Sequence, residues 1–283
     1  MGPLLFSIFI NEITKLIING LIILFADDIT LVVKSKKLSE LENKVNSDLN
    51  LINEWLKQND LIINESKSQY MTFGTNNTIN LKLNDVIIPE VKELKILGVI
   101  FDNRLSFEKH IDSLSLKTSR MTGIIKRVRY LLPDFSLILL YKSLIESNLR
   151  YFCTIWRFTY ESHINQLFKQ QRIIAKIIST SNILPKDIID IHRLINYNAG
   201  LFIYKALNGF LPIKMCNAFN YEKKSKTRSN DNFSVTLPFC KYNYTQNSIL
   251  YKGVKCFNNI PFNIRQIDKL ISFKKSFFTY LNE

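Results

Sequence analysis

"LIILFADDIT", Leu21 to Thr30, sets two adjacent aspartates between two apolar runs. "LIILFA" and "ITLVVK" are rich in aliphatic and β-branched residues, so they read as the strands of a tight antiparallel hairpin with Asp27 and Asp28 at its tip. Adjacent residues in a flat strand point to opposite faces, but at a turn both carboxylates can approach one site. Aspartate is also common in turns because its side chain caps nearby backbone N–H groups, and the pair alone is compatible with that plain role. The other role is to hold a hard cation. Mg²⁺ takes oxygen ligands and needs only one or two carboxylates when waters and phosphates complete its shell.

Outward from the hairpin, the pattern is mixed. "PLLFSIFINEITKLI", Pro3 to Ile17, has apolar residues at helical spacing and predicts a helix with one fully buried face, ended by Asn19-Gly20. "LSELENKVNSDLNLINEWLKQND" carries Leu38, Leu41, Val45, Leu49, Ile52 and Leu56 at three-and-four spacing, an amphipathic helix expected to pack on the sheet. "LIINESKSQYMTFG", "TINLKLNDVIIP" and "LKILGVIFD" follow as short strands separated by turn residues. Residues 1–104 are therefore expected to form an α+β unit.

From Leu105 the pattern turns helical. "SFEKHIDSLSLKTSRMTGIIKRVRYLL", "SLILLYKSLIESNLRYFCTIW" and "ESHINQLFKQQRIIAKIISTS" each combine an apolar stripe with basic residues, predicting a small bundle with a positive outer face over residues 105–219. "NYEKKSKTRSND", Asn220 to Asp231, has no hydrophobic period and reads as a linker; residues 220–283 are this linker and a small C-terminal extension. No internal repeat is present.

Charge divides the same way. Up to Arg104 there are 11 Lys and Arg against 13 Asp and Glu, and from Leu105 there are 27 against 11, so the second part holds all of the +14 formal excess. A near-neutral half followed by a basic half points to a polyanionic partner, nucleic acid ahead of an acidic membrane. Lysine-rich solvated helix faces would produce the same imbalance. Cys153, Cys216, Cys240 and Cys256 are too dispersed for a zinc ribbon or a disulfide framework. The apolar opening is broken by Asn11, Glu12, Lys15, Asn19 and Gly20, so neither a signal peptide nor a span is expected. These features predict an intracellular protein, nuclear or cytoplasmic, that is not secreted and does not cross a membrane.

Several stretches share a pattern with one family. "GPLLFSIFINEI" matches the end of "QGSxLGPLLFxxYIND", "FADD" a metal-binding FADD or YADD box, and "LIINESKSQYMTFG" the element "LxLNxxKTxxMxF". "LKILGVIFDNRLSFEKHI" matches "YLGVxxDxxLxWxxHI", "LRYFCTIW" matches "LxYGxxxW", and "QRIIAKII" matches "QKxxxRxI". "CFNNIPFNI" followed by "FKKSFFTYL" matches a closing "WNxLPxxI" and "FKxxLxxYL". In this order the motifs resemble the reverse transcriptases of non-LTR retrotransposons, particularly the jockey-like and LINE-type enzymes, almost end to end. Phe257 and Phe107 stand where tryptophan is usual, and Ser68 stands for threonine.

The resemblance implies a partial right-hand polymerase palm, then a mostly α-helical thumb and a small C-terminal region. It implies Asp27 and Asp28 as catalytic, metal-holding carboxylates, with Asp27 a direct ligand and Phe25 and Ala26 shaping the strand beneath the primer end. Lys67 would lie near the triphosphate, able to donate to a departing pyrophosphate, or is a surface lysine after a turn. Asn64 would brace that loop through backbone hydrogen bonds. Leu97 and Gly98 would belong to a primer grip, unless the glycine serves only a bulge or turn. His110 fits a structural role at a helix start. Lys109, Lys117, Arg120, Lys126, Arg127 and Arg129 would meet template or primer phosphates, or remain solvated.

The activity implied is RNA-directed DNA synthesis from deoxynucleoside triphosphates on an RNA template and DNA primer, with two Mg²⁺ ions in the parent enzyme. In the family, the fingers and another palm aspartate precede "GPLLF", and no "FxDxxxAF"-like stretch occurs in the 283 residues. Two-metal chemistry needs a further bridging carboxylate. The expectation is thus a fragment with little or no polymerase activity alone, whose N-terminal polymerase half is missing. Two other readings stay open: a non-catalytic basic module that binds nucleic acid, and a decayed element product.

Overall fold

Strand alternation determines how the first hairpin lies. β1 (Leu21–Phe25) and β2 (Asp28–Val32) pair antiparallel, from Leu21 opposite Val32 to Phe25 opposite Asp28. Ile22, Leu24, Ile29 and Leu31 face inward onto Ile10, Ile13, Ile52 and Leu56. The other face, with Leu21, Ile23, Phe25 and Val32, is exposed. This is the computed structural model of the chain; it describes residues 1–75, 77–157, 159–179, 185, 188–219, 234–241 and 243–282. The linker expected at Asn220–Asp231 lies outside the described residues. Two compact units emerge, Met1–Leu94 and Lys95–Glu283.

In the first unit, the single helix expected over Pro3–Ile17 does not form. α1 (Gly2–Ile10) passes into a 3₁₀ turn over Asn11–Lys15. The tighter winding rotates the apolar stripe, so Ile10 and Ile13 are buried while Leu4, Leu5 and Ile8 stay exposed. The predicted fully buried face is corrected accordingly. α2 (Leu38–Gln58) takes the predicted span, and its stripe serves two clusters: Ile52 and Leu56 pack toward the hairpin, while Leu38, Leu41, Val45 and Leu49 pack on Ile79, Leu81, Leu83 and Ile88.

The three stretches read as short strands behave differently. Leu61–Gly74 holds no named strand, only a 3₁₀ turn over Glu65–Lys67 and one parallel bridge, Tyr70 to Glu90. Its polar run offers the backbone side-chain partners instead of a ladder. The second stretch folds as β3 (Lys82–Leu83) and β4 (Val86–Ile87), the third as β5 (Glu93–Ile96) and β6 (Val99–Asp102). The described strands thus make three separate pairs rather than one sheet. A mixed α/β first region and a largely helical second one are what the structure shows.

Helices dominate the second unit. α3 (Glu108–Val128) precedes α4 (Asp134–Tyr141), which runs through a π turn at Lys142–Glu146 into α5 (Ser147–Arg150). α6 (Cys153–Trp156), α7 (Glu161–Ser179) and α8 (Ile191–Leu207) follow. α9 (Ile213–Cys216), α10 (Asn243–Gln246), α11 (Val254–Asn258), α12 (Phe262–Arg265) and α13 (Leu270–Asn282) complete it. α3 packs against α7, and one core gathers Ile111, Ile125, Tyr141, Leu149, Trp156 and Ile174. Burying each such side chain stabilises by roughly 1.5–3 kcal/mol. A second core joins α8 to the tail through Tyr204, Phe257, Phe273 and Phe277.

Two small details fix these packings. Gln171 is fully buried: its Nε2 donates to Tyr141 Oη (2.7 Å) and Ile189 O (3.2 Å), and its Oε1 accepts from Ile191 N (2.7 Å). Every polar group it buries is therefore satisfied on the side facing α4 and α8. A Cβ at Gly200 would lie 2.6 Å from Phe277 Cε1, so glycine is what lets α13 approach α8.

Candidate metal and nucleic-acid site

Only Ala26 and Asp27 lie between the paired strands, since Asp28 already pairs with Phe25. Asp28 is thus the first residue of β2 and shares the exposed face with Phe25, while Asp27 is the second turn residue. Both aspartates are exposed, and neither carboxylate makes a hydrogen bond or ion pair among the described residues. Ala26 has φ +51°, a left-handed conformation that costs a residue with a Cβ about 1–3 kcal/mol. The acidic tip is therefore a strained turn whose carboxylates have no hydrogen-bond or ion-pair partner among the described residues.

A residue that the sequence reading passed over anchors this hairpin. Asp48, on α2, is completely buried, and its carboxylate accepts from Asn19 N (2.9 Å), Asn19 Nδ2 (2.8 Å) and Gly20 N (2.8 Å). Such charge-assisted bonds are the strong kind and tie the chain entering β1 to α2. Gly20 itself cannot carry a side chain, because a Cβ would sit 2.8 Å from both Leu31 Cδ1 and Val33 Cγ2. A polar residue at the centre of an otherwise amphipathic helix was the available signal.

Oxygen donors suit Mg²⁺, and two exposed carboxylates without internal partners fit one ion whose shell is completed by water and phosphate. Among the described residues no group of three or more His, Cys, Asp or Glu is placed to hold a metal. Lys67 ends the 3₁₀ turn and is exposed; its backbone N–H donates to Asn64 Oδ1 (3.2 Å), the bracing expected of Asn64. Its ammonium makes no ion pair among the described residues.

The remaining expected residues belong to the second unit. Leu97 (φ +47°) and Gly98 (φ +84°) are the two central residues of the β5–β6 turn, the sign pattern of a type I′ hairpin. Gly98 is therefore a turn glycine. Tyr151 Oη donates to Leu97 O (2.8 Å), a bond spanning 54 residues. Asp102 organises the exit from β6: its carboxylate accepts from Arg104 N (3.0 Å), Ser106 N (3.0 Å), Ser106 Oγ (3.1 Å) and Phe107 N (2.7 Å), which sets the start of α3. Its place in the "LGVxxD" stretch could have flagged it.

α3 buries His110, Ile111, Leu114, Thr118 and Ile125. At 100° per residue, Lys109, Lys117, Arg120 and Arg127 share the outward side, with Lys126 on another flank. All five are exposed, Arg129 is half-buried beside the Tyr130 ring (5.5 Å), and none of the six is in an ion pair among the described residues. Lys117 Nζ donates to Asn148 Oδ1 (2.6 Å), linking this face to α5. His110 is structural: Ile100 N donates to its Nδ1 (3.4 Å), its ring lies 6.0 Å from that of Trp156, and burial pushes its pKa down to about 4. Burial likewise raises the Cys153 thiol to about 12, so that group is an inert part of the core.

Residues 1–101 match the family described as "Reverse transcriptase (RNA-dependent DNA polymerase)". The chain is homologous, over part of its length, to reverse-transcriptase-like proteins of non-LTR retrotransposons. It is 25% identical over 191 residues to "Probable RNA-directed DNA polymerase from transposon X-element" of Drosophila melanogaster, covering 63% of this chain and 21% of that protein. It is 28% identical to "RNA-directed DNA polymerase from mobile element jockey" of Drosophila funebris, covering 62% of this chain and 21% of the relative. A third relative, "Retrovirus-related Pol polyprotein from type-1 retrotransposable element R1" of Bradysia coprophila, is 27% identical over 61% of this chain and 18% of its own length. The chain thus spans about a fifth of the curated relatives it matches. No solved structure matches it significantly. Among the described residues no helix is long and apolar enough to cross a membrane.

Proposed function

We propose that these residues are part of a retrotransposon reverse transcriptase, in which Asp27 and Asp28 hold Mg²⁺ beside the primer end. One observation carries this: an exposed, internally unengaged carboxylate pair on a strained hairpin tip lies within the residues that match the reverse transcriptase family. Bound there, Mg²⁺ would activate the attacking 3′ oxygen and neutralise the leaving pyrophosphate. The chain's own groups do the rest. Lys67 donates to triphosphate oxygens, the Leu97–Gly98 turn approaches the primer, and the outward face of α3 neutralises phosphates of the RNA template and DNA primer.

Two carboxylates supply only one side of a two-metal cage, so the 283 residues alone bind nucleic acid inside the cell without polymerising it. Primer extension with Mg²⁺ and deoxynucleoside triphosphates tests this. The isolated chain should incorporate nothing, while in the full-length polymerase that contains these residues Asp27→Ala should abolish incorporation. Robust extension by the chain alone, or full activity of the longer Asp27→Ala enzyme, overturns the reading. The basic excess after Leu105 favours a second reading, a non-catalytic nucleic-acid-binding module. Salt-sensitive binding together with an active Asp27→Ala full-length enzyme would select it.

A further inference from the structure

Between α5 and α6 the chain turns at Tyr151 and Phe152, and both residues remain partly at the surface, 49% and 37% exposed. They pack on each other edge to face, with centroids 4.7 Å apart and planes at 89°. Neither ring belongs to the cores described above. Phe152 nevertheless has φ +48°, a conformation usual for glycine. In the "LxYGxxxW" pattern that this stretch resembles, glycine is the residue at that position. A large ring held in a strained backbone, partly exposed and outside both cores, invites a use at the surface.

Its surroundings point to one. Tyr151 Oη is bonded to Leu97 O at 2.8 Å, so the ring pair stands against the Leu97–Gly98 turn, whose glycine is exposed. Asn148, three residues earlier on α5, receives the Lys117 ammonium at 2.6 Å, so the helix that leads into the pair is bonded to the basic face of α3. Exposed aromatic faces beside a positive track are the arrangement that binds single-stranded nucleic acid, because the rings stack on bases while the cations follow the backbone. We infer that the Tyr151–Phe152 pair is a stacking platform for an unpaired nucleobase, with Phe152 the ring that meets the base and Tyr151 the residue that positions it against the turn. This rests on the nucleic-acid reading above and adds a base-contacting residue to it.

The test uses the whole 283-residue chain and two labelled single-stranded probes of equal length. One is oligothymidylate; the other is its abasic counterpart with the same phosphates. Wild type should bind the thymidylate roughly tenfold more tightly, the scale of one stacked base. Phe152→Gly should erase that preference while leaving the slope of log affinity against log salt unchanged, since no phosphate contact is removed. Its melting temperature should not fall, because the strain is relieved. Phe152→Asn, which also tolerates positive φ, is the second variant and must behave alike. A preference retained in either variant, or a wild type that binds both probes equally, overturns the platform and leaves the nucleic-acid reading intact. A wild type that binds neither probe overturns both.

Discussion

The Ala26–Asp27 turn and the Leu97–Gly98 turn both join antiparallel strands with two residues, yet only the second carries a glycine. Gly98 accepts φ +84° without cost, whereas Ala26 holds φ +51° against its Cβ. Their anchors differ too. The first hairpin is tied at its base by the buried Asp48 carboxylate, and the second at its tip by the Tyr151 hydroxyl. Each turn therefore holds one non-glycine residue in the left-handed region, Ala26 in the first and Leu97 in the second, and only the second follows it with glycine. Anchoring is stronger at the first hairpin, by three bonds to one.

The largest expected effect is at the first anchor. Asp48→Ala should lower unfolding free energy by about 4 kcal/mol in urea titrations, since a buried acceptor of three donors disappears and two backbone N–H groups are orphaned. Asp48→Asn should lose roughly half of that. A loss under about 1 kcal/mol would break the contrast, for the hairpin would then stand without its anchor.

His110 should produce the next largest effect, on the second-hairpin side. Burial depresses its folded pKa to about 4, below its ordinary 6.5. The unfolded chain therefore binds the proton first, and stability falls as pH drops from about 6.5 to about 4, by up to roughly 3 kcal/mol. His110→Gln should flatten that part of the stability profile relative to wild type. Equal slopes in the two proteins would show that the β6–α3 junction does not bury a neutral imidazole.

Smaller shifts separate the two turns directly. Tyr151→Phe removes one hydrogen bond to Leu97 O and should cost about 1 kcal/mol. Ala26→Gly should stabilise by about 0.5 kcal/mol, the relieved strain less the entropy of an added glycine. If Ala26→Gly instead destabilises, the alanine is not strained.

Much of this was legible in the residues. The β1–β2 hairpin followed from its two aliphatic, β-branched runs, and α2 and α3 from three-and-four spacing, because those patterns are local. The region Pro3–Ile17 misled, since apolar content does not reveal where α-helical winding tightens to 3₁₀ and turns a face outward. Leu61–Gly74 misled for a related reason: a β-prone run was captured by Asn64 and its polar neighbours. Asp27 and Asp28 were singled out from their flanks. Asp48 and Tyr151 were not, because their importance lies in partners 28 and 54 positions away.

The amino-acid order by itself determined the hairpin with its acidic tip, the amphipathic helices, the basic second region and the motif sequence shared with reverse transcriptases. These are properties of neighbours along the chain, set by backbone periodicity and local charge. Tertiary structure alone decided that Ala26 is strained, that Asp48 is buried beneath Asn19 and Gly20, and that Tyr151 meets the Leu97 carbonyl. Each depends on long-range closure, where packing selects a backbone conformation and a buried partner that no local preference encodes.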